Sequence, residues 1–364
     1  MEKYIILNPW PAGFTNVLMS YEIVFALAYI TNRSIILPPT SWCVLIDDRK
    51  SSKETWQDIW QICDRNAANE EFKTYDLLEF EEFKPVINEL TNTDNYSWVQ
   101  HGVGNIGIRD IPHLNDSQLC LYDSTHQYNE SDFQNFTKNR TVVDVNESGK
   151  FFKSSAFGHY WYNIYANGPE ARNEMKRKVN KSFKYKLKYY SLAETAIKAK
   201  CDSYNAIHVR SPWQLNYDEH SDVVHIKDKP HLLLQQVKLL YSADKPLYIA
   251  TDIEHKSFFD QLATEYKIIF YEDLALPVMQ PLEKIAIDQI ICSKADIFYG
   301  SYYSTFSKRI NVMRGLEGRQ SSDYMGFNKI VDNSIESKTP WPWQDTTSKH
   351  WFWHDSSYLQ WTKE

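Results

Sequence analysis

Between Asn205 and Gly300, short apolar runs alternate with longer amphipathic stretches, and this alternation narrows the possible folds more than any other feature of the chain. "NAIHVR", "PLYIATD", "KIIFY" and "DIFYG" have the length and the aliphatic or aromatic content of buried strands. "HLLLQQVKLLYS", "KSFFDQLATEY" and "PLEKIAIDQIICSKA" carry apolar residues at helical spacing. A strand reached through a helix pairs in parallel with its predecessor, and helices then cover the sheet. The expectation is a doubly wound α/β domain, in which ligands bind beyond the carboxyl ends of the strands. That rule selects His208 and Arg210, Thr251 and Asp252, and the hydroxyls after Gly300.

The N-terminus repeats the pattern. "YIILN" reads as a strand, "PWPAGFTN" as a turn-rich loop, "VLMSYEIVFALAYI" as a helix and "SIILPP" as a second strand closed by two prolines. This is a βαβ unit. A chain of 364 residues has room for two such domains, each with its own core. The expected organisation is 1–190, 191–330 and an aromatic tail 331–364. The tail holds five of the twelve tryptophans and is expected to pack back on the first domain. From about Trp56 to Lys153 the pattern is irregular and Asn-rich, with "TVVDV" as a candidate strand. "RNEMKRKVNKSFKYKLKYYSLAETAIKAK" then reads as one or two amphipathic helices.

Bulk properties exclude several classes. A net charge of −7, with Lys and Arg spread along the chain, argues against nucleic acid as a partner. The longest apolar stretch, Val17 to Ile30, is too short to span a bilayer and contains Glu22. Met1 is followed almost at once by "YIIL", which points to a cytoplasmic protein, or to a secretory one whose leader has been removed. Sequons at Asn32, Asn95, Asn115, Asn135 and Asn180 bear on the second case. Five widely spaced cysteines offer neither a zinc template nor a disulfide framework.

"GSYYSTFSKRI" joins the last strand to a helix. Ser304 is placed to cap that helix, Phe306, Ile310 and Met313 recur along it, and Gly315 is expected to end it. A glycine, a hydroxyl-rich turn and a helix N-terminus make either an ordinary capped helix or an anion site fed by free N–H groups. Arg210 ends a strand with His208 on the same face, and it can grip a phosphate with two parallel bonds or form an inter-domain salt bridge. Asp288 interrupts an otherwise apolar helix; its carboxylate can accept from the N–H groups of guanine or cap a neighbouring turn. No Asp-x-Asp pair for a divalent metal occurs, and "DEHSDVVH", 218–225, fits no tight tetrahedral spacing, so no metal or other cofactor is expected.

Four segments, in order, resemble the GDP-fucose protein O-fucosyltransferases: "NPWPAGFTN", "IHVR", "DQIICSKADIFYGSYYSTFSKRI" and "GRQSS". The third is specific, and the middle of the chain and the aromatic tail are not covered. The resemblance implies a GT-B fold with two Rossmann-like domains and a metal-free inverting transfer. By that resemblance Arg210 contacts the β-phosphate of GDP-fucose and Asp288 reads guanine. Ser304, Thr305 and Phe306 hold phosphate, while His208 and Asp252 belong to the donor side. Gly13 and Phe14 form the glycine loop, and Asn16 stands for the catalytic asparagine of a branch without a base. Some branches place a glutamate just before the Gly-Phe pair, where this chain has Ala12. The expected activity is fucosyl transfer to a Ser or Thr hydroxyl of a protein. The alternatives are a glycan acceptor or a silent nucleotide-sugar-binding protein.

Overall fold

The computed structural model describes residues 4–7, 12–38, 40–47, 51–76, 143–144, 151–154, 168–210, 230–300, 304–317 and 319. The described residues divide into two compact units, the first holding those up to Leu45 and from Glu54 to Tyr185, the second Ile46–Lys53 and those from Lys186 onward. The aromatic tail, 331–364, and the run 218–225 lie outside the described residues.

In the first unit, β1 (Tyr4–Leu7) is followed by the short β2 (Ala12–Gly13) and by α1 (Phe14–Thr31). Helix α1 begins three residues before the apolar run Val17–Ile30 that announces it. The two prolines and Gly13 give the preceding segment the composition of a loop, yet Gly13 is already the N-cap. Val17, Leu18, Met19, Tyr21, Val24, Phe25, Ala26 and Ala28 are all buried, as expected of a helix that is apolar on most sides. Asn32, in the left-handed region at φ 49°, ends it, and the Arg33 N–H reaches back to Ala28 O at 3.0 Å. β3 (Ser34–Leu37) then pairs in parallel with β1, completing the βαβ unit.

β4 (Ser41–Asp47) and β5 (Ser51–Gln57) join β2 in a three-stranded sheet. α2 (Arg65–Glu71) is capped by Asp64, whose Oδ1 accepts from Asn66 N–H at 3.0 Å. β6 (Thr74–Asp76), β7 (Val143–Asp144, inside "TVVDV") and β8 (Phe151–Ser154) complete a five-stranded sheet in the order β6-β3-β1-β8-β7. Only β7 runs antiparallel. α3 (Gly168–Ser182) closes the unit, and its Lys181 pairs with Glu71 at 2.7 Å. The interior is aromatic: Phe183 packs on Phe25 with ring centroids 4.7 Å apart and stacks on Trp60 at 6.1 Å. Asn180 is fully buried within α3, so its sequon is not presented by the folded chain.

The second unit opens with α4 (Leu187–Lys198) and β9 (Asn205–Val209), so the basic stretch forms two helices. α5 (Pro230–Leu240), β10 (Leu247–Thr251) and β11 (Ile268–Phe270) follow. α6 (Pro281–Lys294), β12 (Phe298–Tyr299) and α7 (Thr305–Leu316) complete it. The helix expected in "KSFFDQLATEY" is a 3-10 turn, Lys256–Phe259, passing into one α turn, Asp260–Ala263. Two anchors three residues apart, Phe259 and Leu262, seat that turn in the core. All four strands are parallel, in the order β11-β10-β9-β12. Ile207, Val209, Leu247 and Ile249 face α5 through Leu233, Val237 and Tyr241. His208, Tyr248 and Ala250 therefore occupy the opposite face.

That strand order has one consequence for ligand binding. From β9 the chain moves outward to β10 and β11, then returns through α6 to place β12 on the other flank of β9. The order reverses between β9 and β12, the switch point beyond whose strand ends sheets of this class bind their ligands. β9 leads to Arg210, and β12 leads through Gly300 to α7.

Candidate functional site

Gly300 sets how closely α7 approaches the sheet. It is buried, and a Cβ at this position would lie 2.4 Å from both Cβ and Oγ of Ser307. No side chain fits between the end of β12 and the first turn of α7. With the helix held there, Ser307 Oγ reaches Nδ1 of His208 at 2.7 Å, and the ring of Phe306 lies over the imidazole with centroids 4.5 Å apart. Glycine, serine and histidine thus lock the two strands that flank the switch point to the helix N-terminus.

The imidazole is 4% exposed. Burial, and secondarily the charge of Arg210, drive its pKa down to about 3. At neutral pH His208 is therefore an uncharged ring bonded to Ser307, a brace rather than a proton carrier.

Ser304 takes the N-cap position of α7 with extended backbone, φ −93° and ψ 117°, but its side chain makes no capping bond. The expected hydroxyl cap is not formed. Thr305 and Phe306 occupy the first turn, half-buried. Gly315 does not end the helix, which continues to Leu316. The buried Arg314 holds that last turn in place, donating to the carbonyls of Ser293 at 3.1 Å, Ala295 at 2.5 Å and Asp296 at 3.1 Å. These bonds occupy carbonyls at the C-terminal end of α6, and a glycine within α7 costs less than breaking them.

Arg210 and Asp252 meet at the ends of β9 and β10. Arg210 Nη1 lies 2.8 Å from Asp252 Oδ2, and both side chains belong to the second unit. Thr251 fixes the two strand ends relative to each other: its hydroxyl donates to Val209 O at 2.7 Å and accepts from Ile253 N–H at 3.0 Å. The Arg210 side chain keeps 29% of its surface exposed, against 13% for Asp252. A guanidinium tethered on one side and open to solvent on another can meet an anion without a large reorganisation.

Asp288 lies in α6, half-buried among fully buried neighbours Ile287, Gln289, Ile290 and Ile291. Its Oδ1 accepts a short hydrogen bond from the hydroxyl of Tyr248.

Gly13, Phe14 and Asn16 belong to the first unit, where they are the N-cap and first turn of α1 rather than a free loop. Phe14 is buried, and Asn16 is half-buried. The Oδ1 of Asn16 is buried and has no hydrogen-bond partner among the described residues. An unmet acceptor of this kind costs about 1–3 kcal/mol.

Thr251 stands where the strand-end rule put it, Ser307 is not distinguished in the sequence from the other hydroxyls after Gly300, and Tyr248 escapes the sequence patterns. Tyr248 carried one signal, a polar tip in the middle of a strand otherwise aliphatic on both faces. Among the described residues no group of three or more His, Cys, Asp or Glu side chains is arranged to hold a metal. No described helix is long and apolar enough to cross a membrane.

Comparisons with known proteins bear on the family and the fold. The family model for GDP-fucose protein O-fucosyltransferases matches residues 4–317. The crystal structure of POFUT1 in complex with GDP-fucose superposes with a TM-score of 0.51 at 14% identity, covering 86% of this chain and 94% of that one. The POFUT1 apo-form gives 0.52 at 15%, covering 88% and 97%. The fucosyltransferase NodZ from Bradyrhizobium gives 0.45 at 12%, covering 85% and 92%. No curated protein sequence matches the chain. The likeness to POFUT1 shows the GT-B fold, with two Rossmann-like units.

Proposed function

The chain belongs to the GDP-fucose protein O-fucosyltransferase family and is a GDP-fucose-dependent fucosyltransferase, and from that premise we propose that it transfers fucose, with inversion and without metal, to a Ser or Thr hydroxyl of a protein acceptor. The observation that carries the donor side of this reading is the constellation at the ends of β9 and β12. There a tethered, partly exposed guanidinium follows β9 and the N-terminus of α7 follows β12, the two strands that flank the switch point. Both favour negative charge.

The chemistry suits such a site. Breaking the bond between fucose and the β-phosphate leaves an oxocarbenium-like sugar and puts a full negative charge on GDP. Groups that stabilise the departing phosphate in place therefore lower the barrier most. Arg210 supplies the charge, and the first-turn amides of α7 supply hydrogen bonds. With bond breaking well ahead of bond making, the acceptor hydroxyl loses its proton late and needs no strong base. Ala12 stands where a carboxylate would otherwise serve. Asn16 is proposed for the acceptor side on the resemblance of its segment to the branch without a base.

Incubation with GDP-fucose and Ser/Thr-containing polypeptides in EDTA tests the proposal. The expected result is GDP release matched by a gain of one deoxyhexose on a Ser or Thr, with anomeric configuration opposite to that of the donor. Transfer to a glycan alone would overturn the acceptor assignment, and a requirement for Mn²⁺ would overturn the metal-free one.

A further inference from the structure

β10 reads Leu-Tyr-Ile-Ala-Thr, and its second residue sits in a position that any aromatic ring could fill. Tyr248 is fully buried, on the sheet face covered by α6, yet it carries a hydroxyl. Among the described residues the partner of that hydroxyl is Oδ1 of Asp288. An ionised carboxylate only accepts, so the phenol donates. Burial, with the adjoining Asp288 charge, raises the Tyr248 pKa well above its ordinary value, which keeps the proton on the phenol.

The same carboxylate bears on a second phenol. Tyr271, which follows β11, has a buried hydroxyl with no hydrogen-bond partner among the described residues, and burial first, then the Asp288 charge, raise its pKa. The surroundings of Asp288 are therefore aromatic and low in polarity, where a carboxylate's orientation carries more energy than it would in water. Tyr248 also shares its sheet face with His208, the brace for the N-terminus of α7. Both residues thus brace, from within the packed face, groups assigned to the donor: the N-terminus of α7 and the Asp288 carboxylate.

We propose that Tyr248 is a positioning residue for base recognition: its buried phenol holds the Asp288 carboxylate in the orientation that accepts from the ring N–H and the exocyclic amino group of guanine. The inference rests on the reading of Asp288 as the guanine acceptor. The Tyr248 bond takes one of the roughly four lone-pair sites of an ionised carboxylate. Two parallel bonds to a base edge require the carboxylate plane to be fixed. A tether on Oδ1 fixes it before the nucleotide arrives, so less ordering is left for binding.

The test is the affinity of GDP, IDP and ADP for the full-length protein, measured by calorimetry on wild type, Tyr248→Phe and Asp288→Asn, with melting temperatures in parallel. IDP keeps the ring N–H of guanine but lacks the exocyclic amino group, so the GDP-over-IDP ratio reports the second bond. Wild type is expected to prefer GDP over IDP and IDP over ADP. Tyr248→Phe is expected to shrink the GDP-over-IDP ratio on the order of tenfold while ADP binding is unchanged. If Tyr248→Phe weakens all three nucleotides alike, or leaves the ratio intact while Asp288→Asn abolishes it, the hydroxyl is structural and the positioning role is overturned. If Asp288→Asn leaves GDP-over-ADP discrimination intact, the guanine reading itself fails. Tyr248→Met removes the same hydroxyl with a more adaptable side chain and serves as the second variant where Tyr248→Phe does not yield folded protein.

Discussion

Replacing Arg210 with alanine lowers fucosyl transfer by on the order of 10²–10³ in turnover, while the melting temperature changes little. The expected size corresponds to losing one preorganised contact to developing charge, about 2.7–4 kcal/mol. The structure explains why the fold should tolerate the change. Arg210 lies just past the end of β9, its side chain is partly exposed, and the strand ends are held together independently through Thr251. Asp252 is mostly buried at its Oδ2, so losing the guanidinium costs some stability, but the strand ends stay joined through Thr251. Arg210→Lys should be nearly as poor, since an ammonium cannot hold Asp252 on one side and present a planar fork on the other. Steady-state GDP release checks both variants, and near-normal turnover by Arg210→Ala would remove the leaving-group role assigned to it.

A single methyl group at Gly300 should be almost as damaging, by a different route. The Gly300→Ala Cβ would fall 2.4 Å from Ser307 Cβ as well as Oγ, and the Cβ cannot swing away without moving the α7 backbone. Overpacking of this kind costs about 1–3 kcal/mol. In a domain of this size that corresponds to a melting temperature lower by roughly 2–4 °C per kcal/mol. The displaced helix also loses the Ser307–His208 bond, so GDP affinity falls together with stability. The double change Gly300→Ala with Ser307→Gly relieves the clash but not the lost bond. It should recover part of the melting temperature, and a double variant as unstable as Gly300→Ala would show that the close approach is not what fixes the helix.

What the sequence made legible follows the range over which each signal acts. The strand and helix alternation from Asn205 to Gly300 is local, because burial of each segment depends on its own apolar spacing, and four strands stand where that spacing puts them. The βαβ start is legible for the same reason. The order β11-β10-β9-β12 is not, since pairing joins residues far apart in the chain and each of these strands is apolar enough to sit anywhere in the sheet. Boundaries fail where a tertiary contact outweighs a local preference. Gly315 marks an end by propensity, yet the carbonyl bonds of Arg314 carry α7 past it.

The same distinction runs through the site. Arg210 and Asp252 are conspicuous as charges at the ends of apolar strands, and the structure joins them to each other. Ser307 is inconspicuous, one hydroxyl among several in "SYYSTFS". Its role arises only because Gly300, seven positions earlier, lets it reach His208, ninety-nine positions earlier. Tyr248 likewise acquires its meaning from a residue forty positions away, on a helix the sequence alone could not dock against β10.

A metal-free guanine nucleotide site in the second unit, at the ends of β9 and β12, is what the proposed reaction requires. Calorimetric titration of GDP into the wild-type protein in EDTA, with ADP as the competitor, checks for it. Saturable binding of GDP that ADP displaces poorly is the expected result. Binding that appears only with a divalent cation, or equal affinity for the two nucleotides, would contradict it.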